Sequence, residues 1–253
     1  PLMSCSARLP IYLLLVSAFF PVNQGLILLS VYLIGILLAI GTSFLLKKTL
    51  FAKSSDPFVM ELPPYRMPTM RNTTIHMWGK AGQYLKKMGT IILFASILIW
   101  ALGYFPLNRT TMADETEHLE NSYIGQIGKA IEPVIRPLGF DWKMGVSIVT
   151  GLAAKEIVVS SMGILYHVPD AEENSQSLIE SLQQQQYSNG QKVFTPLVAY
   201  GFMLFILIYF PCMAVIAAIR KEAGWKWALF TIFYTTGLAW LVSFGVYQIG
   251  SLF

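Results

Sequence analysis

Long uncharged apolar runs alternate with short charged segments along this chain. Gly25 to Leu46 carries no charge and closes on Lys47 and Lys48, Gly89 to Leu107 holds Trp100 and Tyr104 near one end, and Trp227 to Ile249 forms a third run. Each is close to the roughly 20 residues that a helix needs to cross the ~30 Å hydrocarbon core of a bilayer. The paired lysines and the two aromatic residues stand where snorkelling cations and an aromatic belt belong. Leu9 to Val22, preceded by Arg8, is shorter, and Pro196 to Ile219 is long enough but contains Pro211. Met144 to Tyr166 would pass as a span except that Lys155 and Glu156 sit in its middle. The pattern predicts an all-α fold, a polytopic membrane helical bundle.

Loop charge gives the runs a direction, because basic loops stay on the cytoplasmic side. Lys47, Lys48, Lys53, Arg66, Arg71, Lys80, Lys86 and Lys87 crowd the segment after the first long run, against Asp56 and Glu61 alone. Asn108 to Asn121 instead carries Asp114, Glu115, Glu117 and Glu120 against Arg109. The first loop is therefore inside and the second outside. Arg220, Lys221 and Lys226 also belong inside, which requires Pro196 to Ile219 to run inward and places the C-terminus outside. Parity then fails if Met144 to Tyr166 crosses fully, and a re-entrant or broken helix there restores it. Charge and non-helical backbone at membrane depth are tolerated when buried in protein or lining a wet cavity.

Between the runs, the proline-broken Ser54 to Met70 reads as a cytoplasmic connection and Arg71 to Met88 as an amphipathic helix along the membrane surface. Tyr123 to Leu138 reads as a similar helix outside, and the polar stretch Asn174 to Gly190 as a mobile external loop. Composition agrees with lipid as the main solvent: 55% of the 253 residues are hydrophobic and 13% charged, and the net charge of +4 is accounted for by the cytoplasmic loops without a nucleic-acid partner. Pro1 in place of an initiating Met, and a start unlike a signal peptide, read as a segment of a longer protein.

An internal echo accompanies the two cysteines. SCSA around Cys5 and PCMA around Cys212 share a Cys-x-Ala step in a proline-interrupted helix followed by a full span, as expected of inverted repeats whose substrate sites lie near the midplane where broken helices face each other. Thiol sulfur is a ligand for soft and borderline metals, and backbone carbonyls freed beside Pro1, Pro10 and Pro211 add oxygen donors. Met3 and Met213 could supply weaker thioether contacts. The competing reading is that both cysteines are small hydrophobic residues and the methionines packing. In GLAAKE, Lys155 and Glu156 cost several kcal/mol within a membrane segment unless paired or hydrated. Glu156 is the candidate carboxylate of a transport path and Lys155 its ion partner; a structural ion pair is the alternative. His76, His118 and His167 show no metal-site spacing, and neither a phosphate-binding GxxxxGK[ST] loop nor a GxSxG elbow occurs, so no catalytic role is indicated.

PLMSCSARLPIY, SDPFVMELPPYRMPT, GLAAKEIVVSSMG and YFPCMAVIAAIRKEAGWKWALF together resemble, in order and spacing, the membrane domain of the ferrous iron transport protein B (FeoB) family. That resemblance implies residues 1–46 as the end of a first Gate module, 47–88 as a cytoplasmic loop with an interfacial helix, 89–143 as a linking span and external loop, and 144–253 as a second Gate module. It also implies a bacterial cytoplasmic-membrane importer of Fe²⁺ with metal ligands at Cys5 and Cys212. GTP and Mg²⁺ would be held by an N-terminal domain outside this segment, which itself carries no cofactor. The implied partners are lipid, that GTPase domain, the remaining first-Gate helices and, as an open alternative, further copies of the chain. A nucleoside or other metal-ion transporter built on Gate modules, and a non-transporting membrane scaffold, are the competing functional classes.

Overall fold

The computed structural model describes residues 2–50, 69–105, 122–153, 155, 157–166, 176–186, 190 and 192–252. After a 3-10 turn at Ser6–Arg8 come α1 (Leu9–Phe19), α2 (Gln24–Thr49), α3 (Met70–Tyr104) and α4 (Tyr123–Ile135), the last running into a second 3-10 turn at Arg136–Leu138. They are followed by α5 (Trp142–Ala153), α6 (Ile157–Leu165), α7 (Gln176–Gln184), α8 (Pro196–Ile208), α9 (Met213–Ala223) and α10 (Trp225–Gly250). Among the described residues, extended pairing is limited to an isolated bridge between Gln186 and Lys192. The chain is the all-α membrane bundle that its hydropathy predicts.

Helix starts carry their own chemistry. Ser122 Oγ accepts from Gly125 N at 3.2 Å, Asp141 from Met144 N at 2.8 Å, and Thr195 Oγ1 from Val198 N at 3.2 Å, capping α4, α5 and α8. Pro10 and Pro196 occupy first-turn positions where no N–H is needed. Between α9 and α10 a single residue, Gly224, turns the chain at φ 91°, a left-handed value that suits glycine.

At the centre lies α8. Val198, Ala199 and every residue from Gly201 to Ile208 are buried, against α10, α1 and α2. Apolar packing gains little in lipid, so polar ties and close backbone approach matter between membrane helices. Ser243 Oγ donates to Gly201 O at 3.1 Å from α10, and Ser30 Oγ meets Tyr200 Oη at 2.9 Å from α2. Gly35 lets α2 approach the N-terminal segment: a Cβ there would stand 3.0 Å from Leu2 O. Gly128 and Gly145 do the same between α4 and α5. From α10, Trp240 Nε1 donates to Val134 O at 2.8 Å, engaging a carbonyl near the end of α4.

By length and composition α2 and α10 can each cross a membrane. The broken segments match the expected interruptions: Met144 to Tyr166 divides into α5 and α6 around Lys155, and Pro196 to Ile219 divides into α8 and α9 around Pro211. Two local expectations need correction. Arg71 to Met88 is not a separate surface helix, because α3 continues without a break from Met70 to Tyr104, through the boundary between Met88 and Gly89. Nor is the polar stretch after Asn174 simply a loop: α7 forms within it, with Leu178 and Leu182 one turn apart on the same face and buried, against α1. Gln183 Nε2 donates to Ala18 O at the end of α1.

Candidate functional site

Two interruptions of helix meet near the middle of the bundle. Pro211 lacks the N–H that would continue α8 and pushes Phe210 away from helical geometry. Tyr209 accordingly closes the helix through its N–H to Phe205 O at 2.8 Å and then turns extended, at φ −60° and ψ 172°. Cys212 is extended as well and caps α9, its carbonyl accepting from Val215 N at 2.9 Å. The end of α8 is thus left with carbonyls that lack intrahelical partners.

Lys155, between α5 and α6, fills that gap. It is 5% exposed, and its Nζ donates to Ile206 O at 3.3 Å and to Tyr209 O at 3.5 Å. The same ammonium lies 3.9 Å from the centroid of the Tyr209 ring. A cation at a helix C-terminus and over an aromatic face is favoured by the helix dipole and the ring quadrupole. One break therefore supplies the cation and the other the carbonyls. Gly151 makes this possible: the Tyr209 hydroxyl sits directly against its backbone, where a β-carbon would collide with both Tyr209 Oη and Val158. Buried Tyr209 Oη has no hydrogen-bond partner among the described residues.

A third element, the N-terminal segment, completes the cluster. Arg8 is buried and donates from Nη1 to Met3 O at 3.0 Å, while its N–H caps back to Cys5 O at 3.1 Å. Lys155 lies within electrostatic reach of Arg8, Cys5 and Cys212 together. Tyr12 on α1 shares the neighbourhood with Arg8 and Cys5, and Ser4 and Tyr12 face one another without meeting hydrogen-bond geometry. Both thiols are free and exposed on the described chain.

The sequence candidates fall out as follows. Cys5, Cys212 and Lys155 are gathered into one neighbourhood; Met3 stands at its edge, 69% exposed. Met213 opens α9, and Glu156 lies outside the described residues. Lys155 bonds to carbonyls and an aromatic ring, a setting that its reading as an ion partner did not anticipate. Among the described residues no three His, Cys, Asp or Glu side chains cluster as a metal site would. Arg8, Tyr12, Tyr209 and Gly151 escaped the sequence reading. Arg8 looked like a flanking charge, but an arginine beside a cysteine at the head of a run too short to span is itself a signal of burial in protein.

The Gate family model, described as nucleoside recognition, matches residues 85–226, and the model described as ferrous iron transport protein B C terminus matches residues 28–80. A Porphyromonas gingivalis protein named Fe(2+) transport protein A/Fe(2+) transporter FeoB fusion protein is 50% identical over the whole chain, which covers 34% of that relative. Proteins named Fe(2+) transporter FeoB from Methanocaldococcus jannaschii and Leptospira biflexa are 40% and 38% identical over the whole chain, covering 36% and 38% of their lengths. The chain thus spans about a third of the length of these curated relatives, and no solved structure matches it. With two family models on its apolar helices and such relatives along its full length, the chain belongs to the ferrous iron transport protein B family, as that family's C-terminal membrane domain.

Proposed function

We propose that this chain forms the later part of an Fe²⁺ path in a longer multi-pass importer of the bacterial cytoplasmic membrane, with Cys5 and Cys212 as sulfur ligands to the passing ion. The observation that carries the reading is that both cysteines, from chain positions more than 200 residues apart, lie within electrostatic reach of the buried Lys155, beside two broken helices. Thiol sulfur beside carbonyl oxygen suits ferrous iron better than magnesium or calcium, which prefer all-oxygen sites. The names of the relatives support iron as the cargo. Glu156, on sequence grounds, supplies a carboxylate near the entrance. Energy would come from GTP, with Mg²⁺, on a domain outside this segment. Iron uptake into vesicles holding the full-length protein and an iron-sensitive dye tests the ligands. Replacing both cysteines by alanine should abolish most of the uptake, and undiminished uptake would remove them from the path.

A second reading has its own support, because the Gate model is described as nucleoside recognition. Excess nucleoside should leave Fe²⁺ uptake unchanged in the first reading and compete in the second. A membrane scaffold would show neither uptake nor competition.

A further inference from the structure

The two helices long and apolar enough to span, α2 and α10, leave a gap between them. Ser30 and Gly35 of α2 meet Tyr200 and Leu207 of α8 in that order, so α2 runs in the same direction as α8. Gly250 and Ser243 of α10 meet Leu197 and Gly201, so α10 runs the opposite way. The shared support ends early, because α8 stops at Ile208, one residue past its contact with Gly35. Beyond it, Leu37, Gly41 and Leu45 on α2 and Phe233, Gly237 and Leu241 on α10 line an open groove of about 480 Å³. A Cβ on Gly41 or Gly237 would meet nothing within 4 Å, so both glycines keep the space clear. The walls offer little polar chemistry: Thr42 Oγ1 donates to Ala39 O at 3.0 Å, and the Tyr234 hydroxyl is buried.

One end of this apolar groove is basic. Because α2 and α10 are antiparallel, Lys47 and Lys48 in the last turn of α2 come to the same end as Trp225 and Lys226 in the first turn of α10. Arg220 joins them, its guanidinium 5.1 Å from the centroid of the Trp225 ring. All four cations are exposed, and among the described residues of α2, α9 and α10 the one carboxylate is Glu222. Loop charge assigns this end to the cytoplasmic side, where a membrane presents anionic headgroups. The groove has the volume of a small-ligand site and is too small to seat a helix about 10 Å across.

We propose that the groove between α2 and α10 holds an anionic phospholipid, with an acyl chain between the facing walls and the headgroup at Lys47, Lys48, Lys226 and Arg220. An acyl chain gains little by leaving one apolar surrounding for another, so the groove sets the place and the headgroup supplies the selectivity. Recognition of this lipid does not depend on what the protein transports.

Photolabelling of the full-length protein in phosphatidylcholine vesicles tests the site. Trace phosphatidylglycerol or phosphatidylcholine, each with a diazirine midway along one acyl chain, is the probe, and adducts are mapped by mass spectrometry. Adducts within residues 37–45 and 233–241 should form several-fold more from phosphatidylglycerol. Gly41→Leu combined with Gly237→Leu fills the space and should remove those adducts for both probes. Lys48→Gln combined with Lys226→Gln should bring phosphatidylglycerol down towards the phosphatidylcholine level and leave the latter unchanged. Equal labelling by the two lipids in the wild type, or undiminished labelling after the glycines are replaced, overturns the proposal. So does a groove free of adducts while Leu33 on the exposed part of α2 is labelled, because another protein segment or a second copy then covers it. If the lysine variant inserts wrongly, the wild-type lipid ratio and the glycine variant decide.

Discussion

Helices α2 and α8 are both strongly apolar, and they live in opposite surroundings. In α8 nearly every side chain is buried in protein, whereas in the 26 residues of α2 only Val31 and Gly35 are, and Leu26, Leu29, Leu33, Leu37 and Phe44 all face outward. Hydropathy is the same signal in both cases because lipid and protein interior are equally poor solvents for charge. Length separates them: at 1.5 Å per residue the 13 residues of α8 reach about 20 Å, short of a ~30 Å core, so its ends fall inside the bundle. A short apolar helix ending at membrane depth must find partners for its last carbonyls within the protein. Lys155 is that partner here, so the candidate site lies on α8 and not on α2.

The strongest test of this contrast is a pair of truncations. Phe202 on α8 is fully buried and makes an edge-to-face contact with Phe140, with ring centroids 5.3 Å apart, while Phe233 on α10 is 74% exposed. Phe202→Ala should destabilise by about 3–4 kcal/mol through the cavity it leaves, and Phe233→Ala by less than about 0.5 kcal/mol, in equilibrium unfolding from mixed micelles. Equal effects would erase the distinction. Next in size is Leu37→Arg on α2, where the side chain is 66% exposed. If that surface meets lipid, insertion of α2 should weaken by about 3 kcal/mol in a microsomal insertion assay; if it meets water the change will be undetectable.

Gly151→Ala sharpens the comparison at the site itself. The added methyl would collide with Tyr209 Oη and Val158, neither of which has open space to retreat into. A net loss of about 1–2 kcal/mol in thermal unfolding is expected, after the usual helical gain of alanine over glycine is set against overpacking. Gly237→Ala on α10 meets nothing within 4 Å and should be neutral or slightly stabilising. Iron uptake should fall in the first variant only, since Tyr209 presents both its carbonyl and its ring to Lys155.

How much of this the sequence discloses depends on which interaction decides each feature. The long spans and both breaks are legible, because an uncharged run of about 20 residues, a Lys-Glu pair inside such a run, and Pro211 each act locally. The cysteines stand out as chemistry. What Lys155 bonds to is not legible: Ile206 and Tyr209 are some 50 residues away, and the acceptors are backbone carbonyls that every residue carries. Tyr209 and Gly151 are hidden for the same reason, their importance arising from one contact between distant helices. The long continuation of α3 is not legible because Lys80, Lys86 and Lys87 look like an interfacial boundary, while a helix has no need to end where the membrane does.

The smallest effect concerns a helix that inverts the lesson of α2 and α8. By composition α7 is the least apolar of these elements, with glutamine at Gln176, Gln183 and Gln184, yet Leu178 and Leu182 are completely buried where it docks on α1. Two leucines one turn apart suffice, because a helix lying on the bundle needs to bury a single stripe and can leave the rest to water. Its register along α1 is set by the Gln183 amide, which reaches Ala18 O in the last turn of that helix. Gln183→Ala should cost about 1 kcal/mol or less, the net value of one side-chain hydrogen bond, and should show as faster hydrogen exchange confined to α7. Loss of protection spreading into α8 would instead mean that α7 is part of the central packing, and that polarity along the sequence is no guide to which helices frame the site.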